Sequence, residues 1–364
     1  MNSLSEKEDP RAQVPKKGMS THPQLQRRGL SGPSVGKSNQ ASSLPLQLAP
    51  DDVTQAQNAL LQWYAREQRD LPWRATSDPY AILVSEVMLQ QTQVDRVLPK
   101  YQQFLSAFPT LMDLAAAPTA DVISAWVPLG YNRRAISLQS IARQVITEHG
   151  GCIPDTIDEL LKLKGIGRYT AGAIACFAYR KHVATVDTNI RRVLHRIFLG
   201  LEYPEPKVND SQMLSLAEQV LPESQAYNWN QALMDLGATI CTSNNPECLD
   251  CPLQASCQAY KDMSQYSLFP SGIVLRQLRH LNKIAEKKPT YQAQPFTSTN
   301  RYFRGRIVDL LRSLPADQRI SLAVLGPKIK PEFSVDDVVW LQKIVNGLVR
   351  DGLLDYNEDG VRLP

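Results

Sequence analysis

No apolar run in this chain of 364 residues approaches the length a bilayer span needs, and the opening residues MNSLSEKEDPRAQ have neither the basic start nor the hydrophobic core of a secretory signal. A membrane partner is therefore not expected, and the reading is a cytoplasmic, nucleoid-associated protein in a reducing compartment. Bulk charge is also missing from the folded part. Residues 1–50 carry seven Lys/Arg and three Asp/Glu of the 40 and 36 in the chain, which leaves 33 of each for the rest. Binding to a polyanion must then rest on local patterning. Strand signals are scarce too, with hardly a candidate before residue 320.

Residues 1–50 are rich in Ser, Pro, Gln and Gly and have almost no aromatic residues, so they read as a disordered basic tail. From Asp51, read as a helix cap, apolar residues recur at three and four positions. Helices are expected near 51–67, 80–92, 94–107, 118–127, 132–148, 155–162, 168–180, 188–199, 209–221 and 227–239. Residues 271–298 form a basic, Pro-containing linker, and from Arg276 to Arg312 nine Lys/Arg face two acidic residues. Residues 299–364 then give helices followed by the turn Asn357-Glu358-Asp359-Gly360 between two short apolar segments, a hairpin signal. The fold class is mostly α, with a small α+β winged-helix-like C-terminal domain.

What the chain does have is four cysteines within seventeen residues, Cys241, Cys248, Cys251 and Cys257, spaced C-x6-C-x2-C-x5-C. Thiolates this close cannot all pair as unstrained disulfides, so zinc or an iron-sulfur cluster is the natural occupant, and the single compact loop favours the cluster. Cys152 and Cys176 lie far off and are assigned to packing. Glu86 stands in YAILVSEVMLQQT, a helix apolar nearly all round, where burial raises a carboxyl pKa toward the range of a general acid. Gly165 and Gly167 in LKLKGIGRYTAGAI turn the chain between two helices and leave N–H groups free for a phosphate. Asp187 in VATVDTNIRRVL precedes a helix, either as a plain cap or as a carboxylate facing a developing positive charge.

The ordered motifs LPWR (71–74), SEVMLQQTQV (85–94), LGY (129–131), GIGRYTAGAI (165–174), VDTN (186–189) and NQALMDLGATIC (230–241), with the cysteine loop after them, carry a resemblance. The chain resembles the helix-hairpin-helix (HhH-GPD, endonuclease III-like) DNA glycosylases with an iron-sulfur cluster, most closely the MutY adenine glycosylases, over residues 51–270. The resemblance implies a six-helix lobe (about 77–185), an iron-sulfur lobe (51–76 with 186–260) and a [4Fe-4S] cluster on the four cysteines. It implies a monomer acting on double-stranded DNA that contains a mismatch or an oxidised guanine, with the target adenine flipped out of the stack. Glu86 would protonate the leaving base and Asp187 would face the sugar cation, supported by Tyr169 and Asn189. Arg74 and Gln231 match positions around the base. Gln91, Thr92, Leu129 and Tyr131 match positions that wedge into the stack or touch the orphaned partner.

The endonuclease III branch has a strand-cutting lysine at the position of Tyr169, so the resemblance implies a monofunctional enzyme that leaves an abasic site. The family pattern is departed from at Asn132, Thr188 and Lys164. The loop TSNNPE has no Lys or Arg to grip a backbone, and no Nudix-like C-terminal domain is visible. Removal of thymine or uracil opposite guanine is an alternative, and a non-catalytic DNA-binding protein is another. Two carboxylates at positions 86 and 187 argue against the last.

Overall fold

The computed structural model describes residues 48–201, 208–266, 295–315 and 317–364. The tail expected over 1–50 and the linker expected over 271–298 therefore fall almost wholly outside the described residues. Helices α1 (Pro50–Glu67), α2 (Pro79–Leu89), α3 (Val94–Ala107), α4 (Leu111–Ala116), α5 (Thr119–Ala125), α6 (Arg133–His149), α7 (Ile157–Lys162), α8 (Arg168–Phe177), α9 (Thr188–Phe198), α10 (Asp210–Gln219), α11 (Ala226–Thr239) and α12 (Gln258–Tyr266) form the first part. No helix among the described residues is long and apolar enough to cross a membrane.

One hydrophobic cluster joins α1 through α11, from Ala56 through Trp126 and Trp229 to Leu253. Helix α2 lies at its centre, with residues 80–88 all buried, and it packs on α3, α6 and α8. Its start is fixed by Pro79 in the first turn and by Asp78, whose carboxylate accepts from the N–H groups of Tyr80 and Ala81. Its end departs from expectation. The helix read through residue 92 stops at Leu89, because Gln91 adopts a left-handed φ of 55°, which no α-helix continues through. Helix α4, unmarked by periodicity, is nucleated by the reciprocal cap of Thr110 and Asp113. At α1 the residue in the capping position is Ala49, and Asp51 sits in the first turn instead.

Helices α7 and α8 meet through Gly165, whose φ of +107° an L side chain rarely adopts. A second glycine acts by size. A Cβ at Gly237 would stand 2.9 Å from Cβ of Asn189, so α11 and α9 approach closely only because none is present. Of the two cysteines assigned to packing, Cys176 is buried, whereas Cys152 is exposed.

The C-terminal part has its own core, built from Ile307, Leu325, Leu341, Val345 and Val361. Helices α13 (Asn300–Arg312), α14 (Leu322–Ile329) and α15 (Val338–Arg350) precede strands β1 (Asp355–Asn357) and β2 (Gly360–Arg362). The strands pair antiparallel with Tyr356 opposite Val361, and an isolated bridge from Ile320 to Val361 adds a third segment beside the hairpin. This is the α+β, winged-helix-like arrangement the hairpin signal led to. It packs against the first part: Ile123 of α5 belongs to its core, and Ala120 N–H donates to the Pro364 carbonyl at 3.1 Å.

Candidate active site and nucleic-acid interface

Glu86 is only 7% exposed on α2. It lines a small cavity of about 60 Å³ together with Arg74, Tyr169 and Gln231. Four residues far apart in sequence thus line one cavity. Burial pushes the Glu86 carboxyl up to about 7, against a hydrogen bond from Tyr169 that pulls the other way and with the nearby Asp187 adding to the rise. Near neutral pH this carboxyl can therefore hold a proton and give it up. Tyr169, in the first turn of α8, is itself held well above the usual phenol range by burial and by the two carboxylates, so it stays a neutral donor.

Asp187 caps α9, its Oδ1 accepting from Ile190 N–H at 2.6 Å and its Oδ2 from Asn189 Nδ2 at 3.3 Å. Burial raises its pKa, opposed by those N–H bonds and by Arg192. The bonds that start the helix also fix the orientation of the carboxylate. Behind it runs a chain of contacts. Asn189 Oδ1 accepts from Arg192 Nη2 at 2.9 Å, while the same guanidinium donates to the carbonyls of Gly237 (2.7 Å) and Cys241 (2.9 Å). Asp187 is thus tied through two side chains to the first cysteine of the loop.

Arg74 lies at the cavity wall, but its guanidinium is largely committed elsewhere. It clasps the fully buried Asp235 with two bonds of 2.7 and 2.8 Å, and Arg69 Nε adds a third at 2.6 Å. The base contact implied for Arg74 is corrected to this extent: only its Nε–H is buried without a partner. Gln231, 5% exposed on α11, faces the same cavity.

The four cysteines line one apolar cavity with Arg196, Ile240 and Met263. Arg196 Nη1 donates to Cys241 Sγ at 3.4 Å, and Cys257 Sγ donates to the Arg196 carbonyl at 3.4 Å. Burial pushes the thiols of Cys251 and Cys257 up to about 12. Among the described residues no three His, Cys, Asp or Glu side chains converge on a single metal-ion position.

The remaining expected residues divide between surface and core. Gly167 starts α8 with no side-chain cap, which leaves first-turn N–H groups without an intrahelical partner beside the exposed hairpin. Gln91 and Tyr131 are both exposed, and both hold positive φ, 55° and 48°. Thr92 accepts from Arg134 at 2.9 Å. Leu129, implied to touch the base stack, is 3% exposed and packed in the core; the hydrophobic side chain presented outward is Tyr131, at 45%.

Residues 84–219 match the profile of the HhH-GPD superfamily base excision DNA repair proteins. An adenine DNA glycosylase of Mycolicibacterium smegmatis is 37% identical over 308 residues, covering 83% of this chain and 93% of its own length. The chain belongs to the MutY-type adenine DNA glycosylases. The human adenine DNA glycosylase is 42% identical over 230 residues, 61% of this chain and 42% of the relative. Among solved structures, a thermostable thymine-DNA glycosylase is 32% identical with a TM-score of 0.55, covering 58% of this chain and 98% of that one. The mycobacterial match is too long to be confined to the first hydrophobic cluster, so it takes in C-terminal sequence that the shorter human match need not reach.

Three polar anchors of this adenine glycosylase family member carry no signal in the sequence. Asp235 is invisible because its partners Arg69 and Arg74 lie some 160 positions away, and Arg192 because two of its acceptors are backbone carbonyls, of Gly237 and Cys241. Arg134 is the third. Its Nη1 donates to the carbonyls of Val87, Met88 and Gln90, and its Nη2 to Thr92 Oγ1 and, more weakly, to the Leu129 and Gly130 carbonyls. One guanidinium therefore fixes the loop after α2 to the loop before α6, and so Gln91 to Tyr131.

Proposed function

We propose that this protein excises adenine paired with 8-oxoguanine or guanine in double-stranded DNA, leaving an abasic site. The observation that carries the reading is the pairing of a buried, protonatable Glu86 with Asp187 beside a neutral Tyr169. The Glu86 proton passes to a ring nitrogen of the flipped adenine. The bond from C1′ to the base then breaks, and its electron pair leaves with the base. Asp187, oriented by Asn189, faces the cationic sugar carbon, and water adds there while giving up a proton to a carboxylate. Tyr169 has no amine with which to form a Schiff base, so the strand stays intact. Gln231 and the spare Nε–H of Arg74 supply polar contacts for the base. Gly165, Gly167, Gln91 and Tyr131 supply the grip on the duplex.

A [4Fe-4S] cluster fits Cys241, Cys248, Cys251 and Cys257, whose thiols ring one apolar cavity. When bound, it would supply a rigid closure for the loop. That closure matters because Cys241 holds Arg192, and Arg192 holds Asn189 beside Asp187.

The test is release of free base from duplexes with A opposite 8-oxoguanine, A opposite G, T opposite G and U opposite G. The expected result is adenine release without strand scission, strongly slowed by Glu86→Gln and by Asp187→Asn. The likeness to a thymine-DNA glycosylase gives a second reading: release of thymine or uracil, and not adenine, would establish it.

A further inference from the structure

Helix α2, which carries Glu86, ends without a glycine. Its last-turn carbonyls at Val87 and Met88 accept instead from Nη1 of Arg134, at 2.9 and 2.8 Å. In a glycine-capped helix end the equivalent carbonyls are met by backbone N–H groups of the residues that follow. The same Nη1 donates to the Gln90 carbonyl at 2.5 Å, and Nη2 donates to the Gly130 carbonyl at 3.3 Å. Gln90 and Gly130 are the residues immediately before Gln91 and Tyr131. Those two are exposed and hold φ of 55° and 48°, a conformation that non-glycine residues keep only where the surroundings enforce it. One planar group thus pins the peptide ahead of each strained residue together with the two residues that follow Glu86.

The position does little for Arg134 itself. It stands in the first turn of α6, where a cation opposes that helix's dipole, and its Nε–H is buried without a partner. Burial draws its pKa down to about 10, so at neutral pH it is still a cation, and no carboxylate pairs with it among the described residues. Its charge is met by the carbonyls and by the rings of Trp126 and Tyr131, whose centres lie 5.3 and 5.7 Å away. The loop before α6 has two further anchors. Arg96 Nη2 donates to the Pro128 carbonyl at 2.9 Å and Trp126 Nε1 to the Gly130 carbonyl at 3.1 Å, but neither bond involves α2. Arg134 joins the loop to the helix of the acid.

We propose that Arg134 is a positioning residue for base extrusion: it locks Gln91 and Tyr131 to the helix that carries Glu86, so that the side chains entering the duplex and the acid that meets the extruded adenine move as one body. The proposal rests on the reading of Glu86 as the acid and of Gln91 and Tyr131 as residues that face DNA. Arg134 acts through them and not by touching the base. Lysine cannot take its place, since an ammonium is a point donor and does not hold acceptors on two elements in the fixed geometry of a planar fork.

The test uses the full chain with Arg134→Lys and Arg134→Ala. The substrate is a duplex with adenine opposite 8-oxoguanine and with 2-aminopurine beside the adenine, whose fluorescence rises when its stacked neighbour leaves. Base release and the fluorescence rise are followed in single turnovers, well below the melting temperature of each variant. Arg134→Lys is expected to slow both by about 10-fold or more, because a small misplacement of reacting groups is costly, and to leave the enzyme concentration at half-maximal rate nearly unchanged. Arg134→Ala should be slower still, with part of the rate restored by added guanidinium ion. Wild-type release and wild-type fluorescence rise in Arg134→Lys would overturn the proposal. A loss seen only in the half-maximal concentration would overturn it too, since Arg134 would then be a DNA contact. Slowed release behind an unchanged fluorescence rise would overturn the link to extrusion. Where Arg134→Ala fails to fold, the lysine variant decides alone. A wild type that releases no adenine refutes the excision reading, whereas the fluorescence rise needs no bond cleavage and still decides the part played by Arg134.

Discussion

Glu86 and Asp235 are both buried carboxylates, 7% and 0% exposed, on helices that flank one cavity, yet their acidities move in opposite directions. Asp235 meets burial with three bonds of 2.6 to 2.8 Å from Arg69 and Arg74, and the balance holds it below the usual carboxylate range. Glu86 meets burial with one phenol and a second carboxylate nearby, and it rises to about 7. Burial alone therefore does not mark a functional acid. What marks it is burial without a cation, a state that folding tolerates only at a cost and that chemistry can use.

The sharpest way to break the comparison is to exchange the carboxylates for amides. Glu86→Gln removes the transferable proton and should slow base release by about 10²- to 10⁴-fold, measured in single turnovers, with the fold intact. Asp235→Asn leaves the buried Arg74 guanidinium and the partly exposed one of Arg69 without a charge partner and should cost about 3–5 kcal/mol of stability by denaturant unfolding, with any surviving folded fraction still releasing base. If Asp235→Asn were as stable as wild type, the contrast between the two sites would fail.

A smaller effect is expected for stability against pH. The folded pKa of Glu86 lies above its unfolded value, so the stability it supports is fully present below about pH 4.5 and is lost as pH rises through about 7. Glu86→Gln should therefore raise the melting temperature at pH 8 relative to wild type, by the equivalent of up to about 3 kcal/mol, and change it little at pH 5. Smaller again is the tether behind Asp187. Arg192→Ala should lower the single-turnover rate by about 10-fold or more and leave KM nearly unchanged, because it acts through Asn189 on a carboxylate that works only once the base is bound. A loss confined to KM would place Arg192 in binding instead.

The course of the chain was readable where local chemistry repeats: the helical periodicity, the glycine turn at 165, the cap at 187 and the hairpin around Asn357-Gly360. Glu86 could be read because a lone acid in an apolar helix breaks the pattern around it. Asp235 could not, since MDLG looks like ordinary helix surface and Arg74, which neutralises it, lies some 160 positions earlier. Arg134 and Arg192 escaped for the same reason: each acts on backbone carbonyls of other elements, and carbonyls leave no trace in side-chain identity. Leu129 and Tyr131 were indistinguishable as letters, and only the positive φ at Tyr131 turns one outward while the other packs in the core.

The measurement that bears most directly on the central claim is the single-turnover rate of adenine release from a duplex with adenine opposite 8-oxoguanine, followed from about pH 5 to 9. Glu86 must be protonated and Asp187 ionised, so the expected profile is bell-shaped. Its alkaline limb should fall through about pH 7 and be absent from the slow residual reaction of Glu86→Gln. A wild-type rate that stays level or climbs from pH 6 to 9 would contradict the assignment of Glu86 as the acid.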